Sequence, residues 1–162
     1  AESGGISQWT RLRGYWRLED GAYHGGGVGL CESYSGDINW TDTTVEAELV
    51  PLIGDYHCLN ARVQGALRSY AFGLAPDGQV ALYKKEKTYR VVASAPFTWT
   101  HGEAYRLSLT VQGNSLTATA VAPDGRTQAM AWRDDDAPYL HGQIGLSTWD
   151  GGHTAFRWVK VH

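Results

Sequence analysis

Phenylalanine and methionine are scarce in this 162-residue chain, at three and one, and cysteine occurs only twice. Charged residues are 19% of the total, and 14 Lys and Arg stand against 17 Asp and Glu. That slightly acidic balance argues against nucleic acid as a partner, because a phosphate backbone calls for a basic face. No run approaches the ~18 consecutive apolar residues of a membrane-crossing helix, so no membrane partner is expected. The opening Ala1-Glu2-Ser3-Gly4-Gly5 has neither the basic start nor the apolar core of a signal peptide. The chain is therefore read as a mature or excised piece. Lys84-Lys85-Glu86-Lys87 is the only basic cluster and is expected at a solvated hairpin end. Cys31 and Cys58 are too widely spaced for a metal pair; one disulfide or two buried thiols would both fit. What the chain has in quantity is glycine (20), tyrosine (9) and tryptophan (7). With 43% hydrophobic residues it suits one domain with a core that needs no staples.

Short alternating runs fill the chain. Val45, Ala47 and Leu49 alternate with Thr44, Glu46 and Glu48, which predicts one buried and one wet strand face. Leu59, Ala61 and Val63 alternate with Cys58, Asn60, Arg62 and Gln64. Tyr70, Phe72 and Leu74 alternate with Ala71 and Gly73, and Val80 and Leu82 with Ala81, Tyr83 and Lys85. Further strands are expected over Tyr105–Val111, Ser115–Val121, Gln143–Trp149 and Thr154–Val161. Ala75-Pro76-Asp77-Gly78 and Ala122-Pro123-Asp124-Gly125 repeat one turn tetrapeptide 47 residues apart, with unrelated flanks. No stretch keeps a helical apolar period. A dozen or so short antiparallel strands predict an all-β fold, a two-sheet antiparallel β-sandwich (jelly roll).

Several segments carry a family likeness. Trp16-Arg17-Leu18-Glu19-Asp20-Gly21-Ala22-Tyr23, Trp40-Thr41-Asp42-Thr43-Thr44-Val45-Glu46-Ala47, and the meander Asn60–Val63, Tyr70–Leu74, Val80–Lys84 are three of them. The closing pair is Gly142-Gln143-Ile144-Gly145-Leu146 and Phe156–Val161. In order and spacing these resemble the concanavalin A-like lectin/glucanase (laminin-G-like) jelly rolls, and the resemblance runs over nearly all of 1–162 as one domain. It departs at Arg157-Trp158, where many relatives have Asp-Asn, so no role is carried over for that aspartate. It also departs at Thr43, where Tyr is common. The resemblance implies a choice among carbohydrate-binding modules, glycoside hydrolases or polysaccharide lyases, and laminin-G-like protein-interaction domains. Fold alone does not choose among them.

For hydrolysis, two carboxylates must flank one bond, ~5–9.5 Å apart. Glu46 and Glu48, at i and i+2 on one strand, are about 7 Å apart and are the best pair. Yet the laminarinase-type Glu-x-Asp-x-x-Glu pattern is missing both its Asp and its last Glu at Glu46–Pro51. The pair also falls on the outer sheet, beside Thr154–Val161, away from an expected groove. Asp134-Asp135-Asp136 is expected as a solvated loop. No Gly-x-Ser-x-Gly elbow or His-x-x-x-His pair occurs.

Binding fits better. Aromatic plates take the apolar face of a sugar ring, while Arg and Asn supply paired donors and acceptors. By strand alternation Asn60, Arg62 and Gln64 share a face with Tyr83 and Lys85, and small Ala71 and Gly73 between them would leave a hollow. Trp149, in Trp149-Asp150-Gly151-Gly152, is expected on a loop and available as a plate, with Trp99 and Tyr34 as further loop candidates. Trp16, Trp40, Trp132 and Trp158 are expected to be structural. The expected function is a non-catalytic module, part of a larger, extracellular, glycan-active protein, with an oligo- or polysaccharide as partner. No cofactor is required. The resemblance allows a structural calcium ion, drawn from Glu19, Asp20, Asp37, Asp42, Asp150 or the Asp134–Asp136 loop, with no ligand set assigned.

Overall fold

The computed structural model describes residues 9–162; the expected ragged start lies outside them. The described residues form fourteen strands: β1 (Thr10–Arg13), β2 (Tyr15–Glu19), β3 (Ala22–Gly26), β4 (Cys31–Ser35), β5 (Thr43–Ile53), β6 (Tyr56–Val63), β7 (Arg68–Ala75), β8 (Gln79–Glu86), β9 (Thr88–Pro96), β10 (Tyr105–Gln112), β11 (Ser115–Val121), β12 (Thr127–Arg133), β13 (Gln143–Trp149) and β14 (His153–Val161). A first sheet runs β1-β4-β13-β6-β7-β8-β9 and a second β12-β11-β10-β5-β14-β3-β2. This is the antiparallel two-sheet sandwich that the alternation predicts. Val45, Ala47 and Leu49 point into the core with Leu107 and Leu109 of the same sheet, and meet Leu59, Phe72, Leu74 and Leu82 of the other. Strand β9, with its mostly exposed pattern, gave no clear alternation in the sequence.

The two Ala-Pro-Asp-Gly copies make different turns. In the first, Asp77 and Gly78 are both left-handed, with φ of 62° and 65°. In the second only Gly125 is, and the Asp124 carboxylate accepts from the Arg126 backbone N–H and guanidinium. Trp16 is a core residue, stacked at 6.2 Å on Phe156, and Trp40, Trp99 and Trp132 are half-buried against the core. Trp99 is tied down by its indole N–H, which donates to the Ala75 carbonyl. Tyr34, expected on a loop, lies buried in β4. Trp158 departs from expectation as well. One extra residue in β14 between Phe156 and Trp158 turns Trp158 to the outer face, where Arg106 and Lys160 flank its ring.

The basic cluster and the acidic loop also sit differently from the expectation of solvated segments. Lys84 lies on the core side of β8, 2.7 Å from Asp134, and both are 1% exposed. The Tyr70 hydroxyl donates to the same carboxylate and accepts from the Tyr139 N–H. Burial alone would raise the Asp134 carboxyl. Lys84, Tyr70 and the Asp136 N–H outweigh it and hold the group below its ordinary value. Lys85, on the outer face, pairs with Glu32 at 2.8 Å, with both side chains buried. A buried ammonium needs such a partner, so strand parity forced the pairing that the sequence did not display. The two thiols are free and buried; Cys31 joins the main core and Cys58 the cluster on the opposite face of the first sheet.

His57 plugs one end of the core. Its Nε2–H donates to the Gly54 carbonyl and Nδ1 accepts from the Thr154 hydroxyl, which fixes the neutral ring. Burial lowers its pKa from 6.5 to about 4. The unfolded chain therefore binds a proton that the folded one refuses as pH falls from about 6.5 to about 4. Stability should drop by up to about 3 kcal/mol across that window. Denaturant titrations of wild type and His57→Gln at pH 7 and pH 4.5 check this: the variant should lose that part of the pH slope.

Candidate functional site

The inner strands of the first sheet, β4, β13, β6, β7 and β8, are buried on both faces, and the outer face carries a second cluster built on Cys58, Ala71, Ala81, Tyr83 and Trp149. Cys58, Ala71, Gly73 and Ala81 form a floor of small residues. A methyl group at Gly73 would come within 2.6 Å of the Cys58 sulfur. Two rings lie over that floor. Tyr89 on β9 and Trp149 on β13 stack with centroids 4.0 Å apart, although their strands are four steps apart, about 19 Å along a flat sheet. Both rings must therefore lie across the intervening strands, which only small residues permit. The hollow expected over Ala71 and Gly73 is thus filled by the protein itself.

Polar groups beneath fix both rings. The Trp149 N–H donates to the Ser147 hydroxyl, Ser147 donates to the Asn60 carbonyl oxygen, and the Asn60 amide donates to the Tyr89 hydroxyl. Lys85 Nζ lies 4.9 Å from the centre of the Tyr89 ring. Glu32 Oε2 and the Tyr34 hydroxyl, neighbours on the outer face of β4, are buried without hydrogen-bond partners among the described residues. Burial raises the Glu32 carboxyl against the opposing pull of Lys85.

Of the six residues expected to bind, only Tyr83 and Trp149 line a common cavity, one of about 440 Å³. Trp149 does so differently from expectation. It ends β13 instead of lying on a loop, and it is only 7% exposed. Tyr89 and Tyr56 (5.1 Å) stack against it and Tyr83 meets it edge-on, so it is a support and not a free plate. Asn60 and Lys85 lie below, holding the rings. Gln64 lies at the far end of the sheet, donating to the His141 carbonyl, beside an open groove of about 900 Å³ with mixed charge.

Arg62 is the clear correction. Between the pairs Gly145↔Asn60 and Gln143↔Val63, β13 has one residue and β6 has two. This bulge puts Arg62 at φ 51° and breaks the strand parity on which the groove-lining expectation rested. Its guanidinium donates to the carbonyls of Thr41, Gly113 and Tyr139 and to Asp42. Arg62 is 1% exposed, a clamp that ties three loops at one end of the sandwich.

Alternation missed the residues that complete the smaller cavity. Tyr56 and Tyr89, both half-buried, form its aromatic wall, and Asp77 and Asp150 stand at its rim. Asp150 at φ 55° is left-handed like Asp77, a conformation that Asp adopts more readily than most residues. Neither carboxylate has a hydrogen-bond or ion-pair partner among the described residues. Burial raises the Tyr56 hydroxyl first, and the charges of Asp150, Asp55 and Asp77 raise it further. The signals that existed were the Asp-Gly dipeptides and the β-branched run after Tyr89.

Glu46 and Glu48 lie on the outer face of the second sheet, Glu48 paired with Arg157 at 3.0 Å and Glu46 3.9 Å from His162. Neither lines either of the two cavities. No three His, Cys, Asp or Glu side chains group as a metal shell among the described residues. Asp134 is taken by Lys84, Asp42 by Arg62 and Gly113, Glu19 by Arg17, and Asp37 by the Asn39 N–H.

The architecture is an all-β sandwich of two antiparallel seven-stranded sheets. No protein-family model matches the chain, and no curated protein matches it in sequence. Among solved structures, the carbohydrate-binding module CBM66 from Bacillus subtilis superposes with a TM-score of 0.85 at 21% identity, over 98% of this chain and 97% of that one. The VIP36 exoplasmic/lumenal domain, in its Ca2+/Man3GlcNAc-bound form, gives 0.69 at 12%, over 95% and 83%. Lectin UEA-II complexed with galactose gives 0.67 at 12%, over 97% and 92%.

Two outcomes are expected. Arg62→Ala should lower stability by about 3 kcal/mol in chemical denaturation, because it strands buried carbonyls. Excess chelator should leave the melting temperature unchanged; a fall of several degrees would reveal a metal site that these side chains do not display.

Proposed function

We propose that this domain is a non-catalytic carbohydrate-binding module, with its glycan seated in the cavity walled by Tyr56 and Tyr89. The single observation that carries the reading is that cavity: aromatic rings held from below, beside carboxylates with no other partner. An aromatic wall sheds water against the C–H face of a sugar ring, and free carboxylate oxygens accept from ring hydroxyls. The volume of about 440 Å³ lies within the range of small-ligand sites. The likeness of fold to a carbohydrate-binding module and to lectins supports the same reading without fixing the site. The domain serves as the targeting part of a larger, extracellular, glycan-active protein.

Affinity electrophoresis against a panel of soluble polysaccharides tests this. Wild type should be retarded by at least one of them, and Tyr56→Ala and Tyr89→Ala should each weaken retardation at least tenfold, about 1.4 kcal/mol. Arg62→Lys, at the far clamp, should bind like wild type once its folding is verified by circular dichroism. Retardation by no polysaccharide, or unchanged retardation in both tyrosine variants, would sink the proposal.

A further inference from the structure

The rim of the same cavity carries charge of one sign only. Asp77 and Asp150 line it, Asp55 is close enough to act on the Tyr56 hydroxyl, and no Lys, Arg or His is among the lining residues. Three other loop acids, by contrast, face a cation: Asp134 meets Lys84, Asp42 meets Arg62 and Asp124 meets Arg126. The nearest cation below the rings, Lys85, is buried against Glu32 and does not line the cavity.

Resting on the carbohydrate-binding reading, we infer that the cavity takes a saccharide bearing no negative charge, and that Asp77 and Asp150 are the residues that set this selectivity. An incoming uronate or sulfate would bring like charge against two fixed carboxylates with no cation to offset it. Unpaired charges placed against the wrong partner are an effective means of discrimination. A neutral ring instead offers hydroxyl donors, and a carboxylate is an acceptor with two oxygens to share among them. The backbone holds both side chains at the rim, since each sits in a left-handed turn ahead of a glycine that is itself left-handed, Gly78 at 65° and Gly151 at 77°. Asparagine tolerates that conformation as aspartate does. Replacing either Asp by Asn should therefore remove charge while keeping the turn.

The experiment uses affinity gels containing mannan, galactan or soluble glucan on one side and polygalacturonate on the other, in 20 mM and 500 mM salt. The wild type is expected to be retarded by at least one neutral polymer, equally at both salts, and at least tenfold less by polygalacturonate. The Asp77→Asn/Asp150→Asn double variant should gain polygalacturonate retardation at low salt, and its neutral binding should weaken without vanishing. Strong retardation of the wild type by polygalacturonate would overturn the charge selectivity while leaving carbohydrate binding intact. A double variant that still rejects polygalacturonate would remove these two residues as its cause. Retardation by no polymer of either kind would overturn the binding reading, and the selectivity with it.

Discussion

Burial of the inner strands of the first sheet on both of their faces is the constraint from which the rest follows. An antiparallel sheet in a two-layer sandwich ordinarily keeps one face wet. Here the outer face carries Glu32, Asn60, Ser69, Lys85 and Ser147, all at most 2% exposed. Polar groups so placed must find partners or forfeit their hydration. Asn60, Ser69 and Ser147 do so in a chain that runs from the indole N–H of Trp149 to the hydroxyl of Tyr89, and Lys85 pairs separately with Glu32. The rings cover the polar groups, and the polar groups fix the rings. Each half of the arrangement would be costly alone.

This mutual dependence explains why small residues recur on the central strands. Tyr89 and Trp149 reach each other only because Cys58, Ala71, Gly73 and Ala81 let them lie flat. A larger side chain on that floor would lift the stack and uncover the Lys85–Glu32 pair, and an uncompensated buried charge is far more damaging than a lost hydrophobic contact. The small residues thus serve the aromatic layer rather than leaving room for a ligand. The space for a ligand opens beyond the rings, against Tyr56 and the turn at Asp77.

The fold was legible because a period of two is a property of the strand itself. Val45, Ala47 and Leu49, or Tyr70, Phe72 and Leu74, needed no tertiary information to be assigned inward. The candidate site was less legible, and each miss has a physical cause. At Arg62 a bulge inserts one residue and reverses the parity, which no local pattern announces. At Lys84 and Lys85 the parity was present, but adjacent basic residues read as a solvated end until Asp134 and Glu32 arrive from strands and loops more than 45 residues distant in sequence. Trp149 was singled out for the right neighbourhood and the wrong role, because stacking partners on β6 and β9 are invisible in its own segment. Tyr89 went unnoticed since it stands on an edge strand with little alternation.

A wall built in this way is rigid before any ligand arrives, and that bears on how the cavity can bind. Ordering a flexible side chain on association costs about 0.5–1.5 kcal/mol each. Trp149, fixed at its nitrogen and flanked by two rings, and Tyr89, fixed at its hydroxyl, have already lost that freedom on folding. Their ordering is supported by the core of the sheet and not by the ligand. Only the rim carboxylates remain free to adjust, and even they spring from backbone set in the left-handed region. The division of labour is therefore spatial. Residues under the rings, Asn60, Ser147 and Lys85, determine whether the wall exists, and residues at its edge, Tyr56, Asp77 and Asp150, determine what it accepts. Substitutions below should act through stability and those at the edge through recognition, which is why the buried polar chain and the acidic rim can vary independently in their effects even though a single ring, Tyr89, connects them.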